Sequence, residues 1–441
     1  MLLAAAVAAA ALAAPAHPAL TLKPCSVQTV RARCGTFRVP ENRAKPKGRT
    51  IALRVVVVPA QAKPVARDAF VFLAGGPGGA ATEQTYGLTS ALAAVNRHHD
   101  LLLVDQRGTG SSNAYSFSSE AQFRAFRGDP TQYGTRQAMD DLDAIRAALG
   151  YPQLDVYGIS YGATAAQVFL KRHPGSVRTL TLAGATALDV SFYGRFATNS
   201  QRALDRIAAL CSADSDCRRS FPGWKRQFAE LVRAWDRRAV QNRKGERTTG
   251  AGLAGVVQGM LLDVTRSVSI PLLVHAAAKG DYAPLNRAID ATSGGNGKPA
   301  AELLMYWSIW CREPWVGLDA KGPWGTAFDS YARVSIEYHA GVCERFPSRP
   351  EPRSAWTFPH GRTAVLAIAG GADPQDPLTN LPRLRQSFPD SRAVSIPYFG
   401  HDFPLAGCVA DLVASFVGRG TTKGLDTHCV AAMVPPPFEL P

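Results

Sequence analysis

The chain has 441 residues with 46% hydrophobic and 19% charged side chains, a balance that excludes a disordered or low-complexity polypeptide and leaves room for a large core. Its formal charge of +14 would suit a nucleic-acid surface, but the basic residues are dispersed. The densest basic cluster, Lys225 to Arg247, carries Trp224, Phe228, Leu231, Val232 and Trp235 at helical spacing, so it reads as a helix with a solvated basic face, and no nucleic-acid partner is expected.

The N-terminus, MLLAAAVAAAALAAPAHPAL, is a small-apolar run ending in Ala14-Pro15-Ala16, the pattern of a signal-peptidase site. Residues 1–16 therefore read as a signal peptide, although no Lys or Arg precedes the run, and the mature chain is expected to be secreted or periplasmic. The run is shorter than a spanning helix needs, so no stable membrane span is expected once it is removed. Leu22-Lys23-Pro24, before Cys25, lack the small residues of a lipoprotein attachment box. Eight cysteines fit an oxidising compartment. Many connectivities are open to them, and proximity suggests Cys25 with Cys34, Cys211 with Cys217, Cys311 with Cys343 and Cys408 with Cys429. No CxxC occurs, and no metal is expected.

Gly35 to Pro40 and Thr50 to Pro59 read as strands joined by a Pro/Lys-rich turn. Ala69 to Ala74 is a third strand, fully apolar, and runs into Gly75-Gly76-Pro77-Gly78-Gly79, where backbone N–H groups are left exposed above the strand end. Residues 82–95 read as a helix, and Asp100 to Asp105 as a buried strand followed by Gln106-Arg107-Gly108-Thr109-Gly110-Ser111-Ser112. Thr135 to Leu149 is helical in period with Gly150 as a stop. Leu154 to Gly158 reads as a strand and the Ala-rich run after Gly162 as a helix, with Gly158-Ile159-Ser160-Tyr161-Gly162 between them. GxSxG between a strand and a helix is the pattern of a nucleophile elbow, in which a tight turn lifts the serine hydroxyl out of the sheet. Arg178 to Gly184 is a further strand.

From Asp189 to Trp356 the alternation of strand and helix gives way to a helical pattern that holds every tryptophan in the chain. Its loop Thr292 to Pro299, TSGGNGKP, superficially resembles a phosphate loop but lacks the first glycine and the Ser or Thr after Lys298. Strands return at Ala364 to Gly370 and Ala393 to Tyr398, with a helix near Leu378 to Ser387 and another at Val409 to Val417. The expected fold is α/β: an eight-stranded, mainly parallel sheet with helices on both faces, interrupted by one large helical insertion. Its site should lie at the C-terminal strand ends.

A serine hydroxyl needs a base, and the base needs an orienting acid. In this architecture the chain order is Ser, acid, His, which leaves His401 and His428 as candidates; His401 follows the last strand and is chosen, with His428 a surface residue of the tail. The acid should follow the penultimate strand, where Gly371-Ala372-Asp373-Pro374-Gln375-Asp376-Pro377 offers Asp373, the choice, and Asp376, which could instead cap the next helix. Asp402 has poor geometry for the neighbouring imidazole. The oxyanion donors are expected to be the backbone N–H groups of Tyr161 and Gly76.

The motifs GGPGG, DQRGTGSS, GISYGA, GADPQDP and GHDF, together with VPEN at Val39 to Asn42 and the late cysteines, resemble the prolyl aminopeptidase and tripeptidyl aminopeptidase group of α/β-hydrolases. The resemblance covers nearly all of the exported chain and is weak only in the insertion. It implies Ser160, Asp373 and His401 as a triad, Gly76 and Tyr161 as oxyanion donors, Asp105 and Arg107 as braces of the oxyanion loop, and residues 189–356 as a cap between core segments 17–188 and 357–441. Two departures are Ala74, where many relatives carry His, and Asp376-Pro377, where the family's usual dipeptide is Thr-Pro. Cap carboxylates in the family bind the substrate's free amino terminus, and Glu313 stands near such a position, with Glu302 and Glu337 also in the cap. The implied activity is a cofactor-free, exported serine aminopeptidase that removes one or a few residues. The rivals are a carboxylesterase or amidase acting on a small molecule, and a hydrolase fold kept only for binding. The sequence leaves the oligomeric state open.

Overall fold

The computed structural model describes residues 20–117, 119–241, 247–292, 302–346 and 349–441. The signal-peptide reading, 1–16, and residues 293–299 of the glycine-rich loop lie outside the described residues.

A nine-stranded sheet forms the body of the molecule, built from β1 (Lys23–Val27), β2 (Val30–Pro40), β3 (Thr50–Val58), β4 (Ala69–Leu73), β5 (Leu101–Val104), β6 (Leu154–Ile159), β7 (Val177–Ala183), β8 (Ala364–Gly370) and β9 (Ser391–Ile396). Its order is β1-β2-β3-β5-β4-β6-β7-β8-β9. Strands β1, β2, β3 and β5 pair antiparallel; from β5 to β9 every pairing is parallel. Every residue of β4, β5 and β8 is buried, as continuous apolar runs require when both faces of a parallel sheet are covered. In β2, buried and exposed residues largely alternate, the signature of an antiparallel strand with one wet face.

The expected eight strands are corrected to nine. The first strand begins at Val30 rather than Gly35 and is preceded by β1, which the Cys25–Cys34 disulfide joins to it. Gln28 and Thr29 turn this hairpin with φ of 48° and 71°. Neither residue is a usual carrier of positive φ, so the turn gave no local signal. The helix expected over 82–95 is broken into Ala81–Gln84, Thr85–Ala91 and Ala93–Asn96, and that over 378–387 into single turns at Leu378–Asn380 and Leu384–Ser387. Pro382 lies between the last two and cannot continue a helix from Leu378.

Helices α1 (Thr135–Leu149) and α2 (Tyr161–Arg172) flank the sheet. Between β7 and β8 the chain is mainly helical and includes α3 (Phe192–Ala213), α4 (Trp224–Arg237), α5 (Gly250–Leu261), α6 (Leu304–Arg312) and α7 (Asp329–Cys343). In α4 the stripe Trp224, Phe228, Val232 and Trp235 is buried. The segment meets the C-terminal strand ends directly. The N–H of Asp402 donates to the Leu262 carbonyl at 2.8 Å, and the Asn199 amide of α3 donates to the Gln375 carbonyl at 3.0 Å. All four disulfides join the pairs that proximity suggested. Among the described residues, no helix is long and apolar enough to cross a membrane.

Arg107 is fully buried and ties three parts of the chain together. Its Nε and Nη2 donate to Asp141 of α1 at 2.7 and 2.8 Å, while Nη1 donates at 2.8 Å to the carbonyls of Glu41 and Gln132. Glu41, from VPEN, in turn accepts the Tyr133 hydroxyl at 2.8 Å. Arg107 therefore braces VPEN and α1 rather than the glycine loop. Arg107→Met should lower stability by about 3 kcal/mol, the lower end for breaking a buried pair, since Asp141 loses its buried partner but keeps Arg43 at 2.6 Å. Chemical denaturation under oxidising conditions reads the loss as a shift of midpoint.

Candidate active site

Strand β6 ends at Ile159 and α2 begins at Tyr161, so Ser160 alone makes the reversal, with φ 56° and ψ −127°. A non-glycine residue in that region is strained and persists only where its surroundings dictate it. The surroundings are close backbone. A Cβ on Gly158 would lie 2.2 Å from the Gly162 carbonyl oxygen, and one on Gly162 would lie 2.0 Å from that of Leu73. The Ser160 N–H donates to the Ala183 carbonyl at 2.9 Å, anchoring the turn to β7.

The glycine loop after β4 passes beside this turn. A Cβ on Gly75 would lie 3.1 Å from Ser160 Cβ and 3.7 Å from its Oγ. Gly76, with φ 120°, adopts a conformation that only glycine takes readily. Tyr161 opens α2, so its N–H has no carbonyl one turn back within the helix. The start of the helical turn after the loop is held by Asp105, whose carboxylate accepts the Thr82 N–H and hydroxyl, both at 2.9 Å.

Asp373 follows β8 and is fully buried. Its Oδ1 accepts the N–H groups of Gln375 and Asp376, each at 2.8 Å, leaving Oδ2 2.9 Å from His401 Nδ1. The ring's other nitrogen, Nε2, is buried without a hydrogen-bond partner among the described residues. Burial alone would push the imidazole down; the charge and hydrogen bond of Asp373, with the charges of Asp376 and Asp402, outweigh it and raise the group to about 9. Burial pushes the Asp373 carboxyl up, and the facing imidazolium brings it below the usual carboxylate range. Gly184, at the end of β7 with φ 53°, makes room for the ring: a Cβ there would sit 3.0 Å from His401 Cε1. Asp376 does not cap a helix. Its Oδ1 accepts the Thr186 hydroxyl at 2.5 Å, and its Oδ2 lies 3.8 Å from His401 Nδ1. His428 is far out on the surface, its side chain 99% exposed.

Glu313 is buried at the junction of α6, α1 and α2. It accepts the Thr135 N–H at 2.7 Å, the Thr135 hydroxyl at 2.9 Å and the Trp315 indole N–H at 2.8 Å. The Thr135 Oγ1 also lies 2.9 Å from the Tyr161 hydroxyl. Burial drives the Glu313 carboxyl up to about 8 against those donors. Glu337 is exposed. Sequence reasoning missed Thr135, Thr186 and Gly184; only Gly184, a glycine ending a strand, carried a local signal.

The family model for the alpha/beta hydrolase fold matches residues 68–407, from before β4 to beyond His401. The chain belongs to the α/β-hydrolase family. Among curated relatives, the tripeptidyl aminopeptidase of Streptomyces coelicolor is 28% identical over an alignment covering 92% of this chain and 84% of that protein. Serine protease Hip1 of Mycobacterium tuberculosis is 29% identical over 42% of each chain, so this hydrolase matches less than half of Hip1's length. The proline iminopeptidase of Xylella fastidiosa is 29% identical over 26% of this chain and 31% of its own.

In this hydrolase the elbow depends on two glycines meeting backbone rather than flexible side chains. Gly162→Ala should therefore cost more than the about 1–3 kcal/mol of ordinary overpacking. Thermal unfolding of purified variant and wild type reads the difference; an unchanged midpoint would mean that the elbow is looser than its contacts imply.

Proposed function

We propose that the protein is an exported serine aminopeptidase that removes one or a few residues from peptide amino termini. The observation that carries the reading is the orientation of His401: Nδ1 is held 2.9 Å from Asp373, and Nε2 is left without a partner. In this reading Ser160 is the nucleophile, His401 the general base and Asp373 its orienting acid. As Ser160 Oγ bonds to the scissile carbonyl carbon, its proton passes to His401 Nε2, and the N–H groups of Gly76 and Tyr161 hold the developing oxyanion. Each such donor contributes roughly 2.7–4 kcal/mol in a formed site. The imidazolium then protonates the leaving amine as the C–N bond breaks. Water, deprotonated by the same ring, hydrolyses the acyl-enzyme and releases the peptide acid. No cofactor takes part in these steps.

Three relatives named as peptidases support a peptide substrate over a small ester. Residues 189–356 are proposed as a cap over the site, and the four disulfides support export to an oxidising compartment. Glu313 remains the proposed reader of the substrate's free amine. Burial holds the acid up to about 8 in the free protein, so the arriving ammonium must draw it into its ionised form, in which about four lone-pair sites meet three protein donors.

Three outcomes test this reading. Ser160→Ala should fold as the wild type does and lose on the order of 10⁶ in kcat; turnover near wild type would remove Ser160 from the chemistry. Fluorogenic amides of Pro, Ala and a tripeptide should be cleaved with free amino termini and resist cleavage when acetylated. Rapid turnover of short-chain esters with every peptide inert would instead favour the carboxylesterase. Glu313→Gln should raise KM for free-amine peptides much more than for esters; an equal change for both would leave Glu313 a purely structural acid.

A further inference from the structure

Asp376 stands where the aminopeptidase resemblance implies Thr, and it brings a second carboxylate to the imidazole that already has Asp373. Its placement is built rather than incidental. The Asn380 side-chain amide donates to Thr186 Oγ1 at 2.7 Å, and Thr186 in turn directs its single hydroxyl proton to Asp376 Oδ1 at 2.5 Å. Asn199, from α3, donates to Asn380 Oδ1 at 3.3 Å and steadies that amide. Oδ1 is thus occupied, and Oδ2 is the oxygen on the His401 side, 3.8 Å from Nδ1. No backbone N–H donates to this carboxylate among the described residues, so turn or helix capping does not account for an acid at this buried position.

We propose that Asp376 is a positioning residue for the reaction, a second buried carboxylate on the Nδ1 side of His401 that helps hold the imidazolium formed when Ser160 loses its proton. The inference rests on the triad reading above. Its chemical logic is a difference between two states of the ring. The neutral imidazole gains little from a second anion, whereas the imidazolium is attracted to both. Asp376 therefore stabilises the charged ring of the tetrahedral intermediate, at the cost of keeping the resting ring protonated to higher pH.

Other charges around the ring act in the same field. Asp373 faces it from the acid loop and Asp402 from its own loop, with Asp263 and Arg266 of the helical segment beside Asp402. From α3, Arg202 donates to the Asp373 carbonyl at 3.1 Å. Gly184 on the β7 side is uncharged. Burial, followed by the neighbouring Asp373 charge, holds the Asp376 carboxyl up to about 6 against the pull of His401, so it is an anion in the neutral-to-alkaline range where the ring changes state.

The sign follows. Only the neutral ring accepts the serine proton, so kcat/KM rises as pH climbs through the value for His401. Removing the Asp376 charge releases the proton at lower pH. In Asp376→Asn, and in Asp376→Thr as a second variant of different shape, the rising limb of kcat/KM against pH should move down by about 1 unit. The profile is read with the best fluorogenic peptide amide, beside Ser160→Ala as reference. A merely structural role would lower the rate at every pH and leave the limb in place, and that result in both variants overturns the inference while the triad stands. If Ser160→Ala itself retains turnover, the triad reading fails and this inference with it.

Discussion

The structure turns on one strained residue. Ser160 can hold a positive φ only because the chain around it has been stripped of side chains where β6 turns back into α2. Gly162 lets the first turn of that helix lie on the Leu73 carbonyl, and Gly158 lets the strand end lie on the helix. The same economy of atoms recurs around it, with Gly75 against the serine side chain and Gly184 beneath His401. Small substitutions at these positions would meet backbone, which cannot step aside. The hydroxyl is thereby presented at the C-terminal ends of the parallel strands, where the loops after β4, β8 and β9 also arrive.

Electrostatics complete what the backbone begins. Asp373 is fixed by two N–H donors from its own loop, so its second oxygen is committed to His401 before any substrate arrives. An acid held in this way keeps one tautomer of the ring and supports its charged form. The helical segment is joined to the same machinery through polar contacts: Glu313 ties α6 to the start of α1 through Thr135, whose hydroxyl lies beside Tyr161, and Arg202 of α3 reaches the acid-loop carbonyl. Rearrangement of the helical segment would therefore be felt at the start of α2, beside Ser160, and at the Asp373 loop.

What could be read in advance was whatever the chain encodes locally. Continuous apolar runs such as AFVFL and AVLAIAG are buried strands, and GxSxG falls between a strand and a helix as its pattern requires. Of the two acids that the loop after β8 offers, Asp373 lies nearer the ring than Asp376, 2.9 against 3.8 Å. Illegible features depended on distant partners. The β1–β2 hairpin turns on Gln28 and Thr29, residues with no turn preference, and the destination of Arg107 is set by Glu41 and Asp141, far away in sequence. Glu313 could be singled out as an acid of the insertion, but its bonds to Thr135 and Trp315 exist only once α6 has docked.

The central claim is that Ser160 is an activated nucleophile. Its most direct test is to treat the folded protein with a fluorophosphonate and map the adduct by mass spectrometry of proteolytic fragments. The account predicts a single phosphonyl adduct on the fragment containing Ser160, formed when the native protein is treated and not formed when the protein is denatured before treatment, because activation depends on the buried His401–Asp373 pair. Absence of labelling, or an adduct on another serine with Ser160 untouched, would contradict it.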